Sequence, residues 1–320
     1  MRKVFVSGLA AAVATAVLVA AGCGSGPAGS SGATAQSTAD GMTAAQILAK
    51  AGKAMDGVKS AHFTATLGVA QTGTSGNAAS PGMLLLHVAG AAGDVKGAPA
   101  ADVAMKLKAG ATAMTLGVKA SGHHTWLGYR GKWYVVPKSK TTASGSGASS
   151  SLGSSAAIAG LGIDPRGWAK SSTVAVDQRA GAKVYHVVTT ADTAKIMTDL
   201  VKLLTSPAVS KAAAANGSAG MELNLLKQDP ALLKSLQKAL VSASVQEWVD
   251  AGTFRLDQGQ LDARFSLAAG TTSGGFTIHV VYQLSGFGQP VKVVAPKHAL
   301  PFKQLSKGFS KLSPMGAAGL

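Results

Sequence analysis

The apolar positions of this chain follow two periods in turn. Between Thr43 and Ser60, Ile47, Leu48, Ala51, Ala54, Met55 and Val58 recur at three- and four-residue spacing, the stripe of an amphipathic helix. Thr43 and Gln46 form a capping-box pair at its start. The period then drops to two: Phe63, Ala65, Leu67 and Val69 alternate with His62, Thr64, Thr66 and Gly68, as in a strand with one buried face. Further strands are predicted over 83–91, 101–109 and 111–120. In 101–109, Val103, Met105 and Leu107 share one side, and Asp102, Lys106 and Lys108 the other. His124–Pro137 reads as two strands joined at Arg130-Gly131. Connections this short imply antiparallel pairing.

A short helix is expected near 161–171, then a strand–turn–strand with its turn at Arg179-Ala180-Gly181. Ala191–Thr205 is a helix with Ile196, Met197, Leu200, Leu203 and Leu204 on its apolar side. Asp229 as N-cap and Pro230 at the first helical position open another, whose stripe is Leu232, Leu233, Leu236 and Leu240. Strands return from Trp248 to Phe302. The total is about ten or eleven strands with three or four helices. Strands and helices do not alternate, so a parallel sheet is disfavoured. One wet and one apolar face per strand suits an α+β fold with a single large antiparallel sheet curled over the helices. Low-complexity stretches at 138–155 (Ser/Gly) and 205–220 (Ala-rich) interrupt the pattern, and 305–320 is a tail.

The N-terminus follows another pattern. Met1-Arg2-Lys3 is positive, and Val4 to Ala21 is uncharged and apolar apart from Ser7 and Thr15, as in a secretory signal. At roughly 18 residues the run could also just span a bilayer, but it is Ala-rich and leads through small residues into Cys23. Ala20-Ala21-Gly22-Cys23 resembles the lipobox of bacterial lipoproteins, with Ala20 where leucine is usual. That resemblance implies a signal peptide over 1–22, palmitate-type acylation of Cys23, and a protein held at the outer face of the cell membrane. A thiolate is the right nucleophile for such a thioether, and two or more acyl chains hold where one does not. Residues 24–42 read as a tether of small residues. Cys23 is the only cysteine, so no intrachain disulfide exists.

Charge narrows the partners. Thirty Lys and Arg face 14 Asp and Glu, a formal net charge of +16. For an exported, tethered chain this points to an anionic membrane surface or head group, or simply to solubility, and not to nucleic acid. The seven histidines are scattered apart from the adjacent His123 and His124, which a strand would turn to opposite sides, so no metal site is expected. Asp164, Asp177, Asp250, Asp257 and Asp262 form no catalytic pair. Neither a Gly-x-Ser-x-Gly elbow nor a phosphate-cradling Gly-Lys-Ser/Thr loop is present. No cofactor and no enzymatic activity are expected.

Four segments together resemble a family. "ILAKAGKAMDGVKSAHFTATLGV", "LGYRGKWYVV", "VQEWVDAGTFRLDQGQLDARFSLA" and "LSGFGQPVKVVAP" are similar, in this order, to the opening helix–strand step, the Gly-Lys-Trp strand, the Trp-Val-Asp strand pair and the closing element of the LppX/LprG-type lipoproteins of actinobacteria. The resemblance implies a LolA/LolB-like domain over 43–304. This would be an unclosed β half-barrel with helices on its concave face and an apolar cavity between them for the acyl chains of a lipid or glycolipid. It implies lipid transport in the cell envelope; an envelope sensor with a protein partner is the alternative. Phe63, Leu67, Met105, Leu107, Met114, Leu116, Ile196, Leu200, Leu236, Phe265 and Ile278 would line the cavity. By themselves these residues fit an ordinary packed core equally well.

Overall fold

The computed structural model describes residues 37–73, 84–95, 98–137, 165–206, 235, 237–269 and 272–305. The leader, Cys23, residues 24–36 of the expected tether, the 138–155 loop, Leu236 and nearly all of 205–220 lie outside the described residues, whereas the end of the expected tether is folded into a hairpin.

A two-stranded hairpin, β1 (Thr38–Ala39) and β2 (Met42–Thr43), leads into α1 (Ala44–Asp56). The capping box forms as the sequence predicts: the Gln46 amide donates to Thr43 Oγ1 at 3.3 Å, and the Thr43 amide donates to Gln46 Oε1 at 2.8 Å. Six strands follow: β3 (Ser60–Gly73), β4 (Leu84–Val95), β5 (Ala98–Ala109), β6 (Thr112–Ser121), β7 (His124–Tyr129) and β8 (Lys132–Val135). A 3-10 turn (Pro165–Trp168) stands where a short helix is expected. After it come β9 (Ala169–Arg179), β10 (Ala182–Ala191), α2 (Thr193–Thr205), β11 (Leu240–Asp250), β12 (Leu256–Ala269), β13 (Thr272–Ser285) and β14 (Ala299–Pro301). The turns at Arg130-Gly131 and Ala180-Gly181 place both residues at positive φ, 48° and 75° in the first, 47° and 80° in the second, the backbone that a two-residue hairpin demands.

Twelve strands make one sheet, ordered β14-β8-β7-β6-β5-β4-β3-β13-β12-β11-β10-β9. This exceeds the expected ten or eleven. The sheet is also not purely antiparallel: β14 runs parallel to β8, because a non-hairpin segment returns to the edge from the far end of the chain. Residues 289–298, expected in a strand, carry no ladder. Leu240, expected at the end of a helix, begins β11.

Register partners share a face of the sheet, so the ladder sorts every side chain. One face is largely apolar: Leu261 pairs with Val280, Val280 with Leu67, Leu67 with Leu86, Leu86 with Leu107 and Leu107 with Met114. The other face is tied across strands by polar pairs. These include Thr66 with His87, Asp102 with Lys119, His186 with Gln246 and Asp262 with His279.

Candidate functional site

The apolar face is covered at its two ends by different elements. Over β9–β13 lie both helices. Ile196, Met197 and Leu200 of α2 pack on Leu240, Leu261, Phe265, Phe276 and Ile278, all buried, with the Phe265 and Phe276 rings stacked at 4.4 Å. Nearer the other ends of these strands, Ala44, Ile47 and Ala51 of α1 pack on Val174, Tyr185, Val187, Val249 and Leu256. Asp199, only 1% exposed, anchors α2. It accepts from Trp168 Nε1 at 2.8 Å and from the Lys195 and Lys202 ammoniums at 3.2 and 3.3 Å. Burial works to raise its pKa, but these donors outweigh it and hold the carboxyl below its ordinary value. At the opposite end, Tyr129, Tyr134 and Leu305 are buried together, with Met114, Leu116, Leu127, Leu300 and Phe302 against them.

Between the two covered ends lies a strip of β3–β5. Leu84, Leu86 and Val88 of β4, and Val103, Met105 and Leu107 of β5, are only half-buried. None of them belongs to a buried cluster formed by the described residues.

The predicted cavity residues therefore separate. Ile196, Leu200, Phe265 and Ile278, with Leu67 against them, belong to one packed core. Met114 and Leu116 pack on the far cluster. Met105 and Leu107 lie in the half-buried strip, outside the buried clusters formed by the described residues. Phe63, half-buried on β3, borders a groove of about 780 Å³ whose lining includes Thr64, Ala89, Val184, Gln258 and Gln283. By register those five side chains belong to the polar face. Asp257, left over at the register shift between β11 and β12, also borders the groove. Burial and the nearby Asp250 push its carboxyl up against the pull of Arg179 and Arg255.

The tryptophans stand away from the apolar strip. Trp126, Trp133 and Trp248 are on the polar face by register. Trp133 lies across Gly117 and Gly128, and Trp248 stacks on His186 at 4.5 Å. Among the described residues no three His, Cys, Asp or Glu side chains gather as a metal site requires. No described helix is long and apolar enough to cross a membrane.

Two polar side chains on the apolar face escape the sequence-based list. Glu247 sits on β11 between Val245 and Val249, which pack on the α2 and α1 clusters respectively. It is 9% exposed, its carboxyl has no hydrogen-bond partner among the described residues, and burial raises its pKa to about 7. Its register partner on β12 is Gly259, whose partner on β13 is Tyr282. A Cβ at 259 would run into the phenol of Tyr282, so the missing side chain is what lets that ring lie across the row toward Glu247. The Tyr282 hydroxyl is buried without a partner, and burial, then the charge of Glu247, push its pKa up. The signal for Glu247 was present in the sequence: period two puts it on the same side as Val245 and Val249.

No family model and no curated protein matches the chain. Among solved structures, that of LprF from Mycobacterium bovis is similar, at 16% identity and a TM-score of 0.38, over 78% of this chain and 95% of that one.

Proposed function

We propose that this protein is a membrane-anchored lipoprotein that holds lipid acyl chains against the apolar face of its sheet and carries them within the cell envelope. The observation that supports this most is the open strip on β4 and β5. Leu84, Leu86, Val88, Met105 and Leu107 continue the face that elsewhere forms a packed core, yet remain half-buried. A contiguous apolar surface of this kind marks a binding site, and acyl chains lying on it would leave water with no covalent step. Met105 suits a ligand of variable shape. The site is thus the strip between the covered ends, and Ile196, Leu200, Phe265 and Ile278 are its structural floor. Ala20-Ala21-Gly22-Cys23 supports the anchor, and the basic charge supports residence at an anionic membrane surface.

The test is to purify the protein, extract it with organic solvent and identify the extract by mass spectrometry. Co-purifying acyl lipid is the expected result. Absence of any lipid, together with no thermal protection by added lipid, would overturn the reading. A single stoichiometric protein partner covering the strip would replace it with an interaction role.

A further inference from the structure

The groove of about 780 Å³ lies on the polar face, near the turn from β9 to β10, and takes no part in the apolar strip. Register aligns its floor. Gln258 on β12 pairs with Gln283 on β13, Gln283 with Thr64 on β3, and Thr64 with Ala89 on β4. Ser285 belongs to the next row of the same face. Gln258 is only 9% exposed, at the back of the groove. Its Oε1 accepts from Gln283 Nε2 at 3.3 Å. That bond holds both amides in place and leaves the Gln258 NH2 group and the Gln283 carbonyl without a partner among the described residues. Gln283, Thr64 and Ser285 are exposed to the groove. At its rim the Arg179 guanidinium lies over the Trp248 ring at 5.1 Å, close enough to draw the Asp257 carboxyl toward its charged form.

We propose that this groove binds an uncharged oligosaccharide, whose hydroxyls bond to Gln258, Gln283, Thr64 and Ser285. A sugar hydroxyl both donates and accepts, and so do these amides and hydroxyls. Arg179 and Asp257 carry opposite charges side by side, so the groove favours neither an anion nor a cation. An acyl chain laid here would leave the Gln258 amide without its hydrogen bond, which is costly for a buried group. A peptide strand adds to a free sheet edge, whereas β12, β13, β3 and β4 are paired on both sides. Three strand steps separate Gln258 from Ala89, a span of about 14 Å, long enough for a short oligosaccharide. Ala89, with no side chain beyond Cβ, leaves room above the floor for a sugar ring. The site is on the face opposite the half-buried strip. Its ligand is therefore a molecule distinct from any lipid held there, and the assignment does not depend on the acyl-chain reading.

The test presents the full chain, in phosphatidylcholine vesicles, to an array of lipid-free oligosaccharides. Neutral members are cut from glucan, mannan, arabinan and chitin; acidic members carry uronic or sulfate groups. The neutral oligosaccharide bound most strongly is then titrated by calorimetry. Wild type is expected to bind neutral members in preference to acidic ones. Gln283→Ala is expected to weaken binding about five- to tenfold, the loss of one neutral hydrogen bond, and Thr64→Val to weaken it less. Both side chains are exposed, so both variants should melt as wild type does, which thermal unfolding checks. Thr115→Val, on the same face beside Lys106 but outside the groove, should bind as wild type. Binding of no neutral oligosaccharide, or a preference for the acidic ones, would overturn the proposal. So would an affinity unchanged in a Gln283→Ala, Thr64→Val double variant, or an equal loss in Thr115→Val, since either would place the sugar elsewhere.

Discussion

Two halves of one sheet use the same alphabet to different ends. In β12, Leu261, Ala263 and Phe265 point to the apolar face and are buried. In β5, Val103, Met105 and Leu107 point to the same face in the same alternation and are half-buried. The difference lies above the sheet, where α1 and α2 cover β9–β13. Apolar residues on the covered side hold the fold together. Those on β4 and β5 contribute less to the free chain and leave surface that a ligand can use.

Mutations sharpen this contrast. Phe265→Ala, which removes half of a buried ring stack, should cost about 3 to 5 kcal/mol in urea unfolding. Met105→Ala should cost under about 1 kcal/mol, because a half-exposed side chain leaves little cavity behind. Equal losses would refute the division into a structural and a ligand-facing half.

The next effect in size is electrostatic and sits at the boundary. Glu247 has a folded pKa raised from 4.5 to about 7 by burial. Its contribution to stability is therefore fully present below pH 4.5 and is lost as pH rises through about 7. The shift corresponds to about 3 kcal/mol. Glu247→Gln, which cannot ionise, should gain on wild type by up to that amount between pH 4.5 and 8, read as the difference between two stability–pH curves. A constant difference across that range would show that Glu247 is not held in a dry site.

Smaller again is the cap of the covering helix. Thr43→Ala should cost about 1 kcal/mol, seen as earlier hydrogen exchange in α1 than in β11. The smallest stability effect and the clearest functional one belong to the strip. Met105→Asp should fold with little loss yet forfeit protection by lipid in thermal shift.

The sequence made the strands legible because one-sided burial imposes period two, and it made α1 legible through Thr43 and Gln46. Three things escaped it for physical reasons. Period two reports which side of a strand is apolar, not what lies over it, so Met105 and Phe265 looked alike. Leu240 continues a leucine spacing that fits a helix, yet tertiary pairing with Phe265 draws it into β11. Segment 289–302 reads as strand, yet only 299–301 pairs, because the β8 edge offers a partner to those three residues and 289–298 finds none. For the site, Cys23 lies outside the described residues, and the Glu247–Gly259–Tyr282 row needed the register of three strands.

The pairing of β3 with β13 has a consequence for how the protein comes into being. Thr277 meets Ala70 across 207 residues of chain, and the ladder runs from Gly274↔Gly73 to Ser285↔His62. Strands β4–β8, β9–β10 and β11–β13 close through short turns, but the β3–β13 seam must close the longest loop in the sheet, which makes it slow. Until it closes, Tyr282 has no Ala65 beside it, and the two halves of the apolar face are separate surfaces. A chain still emerging from its N-terminus thus has no complete row to offer a lipid. On the proposed function, the complete apolar row for a lipid forms only when residues 272–285 pair.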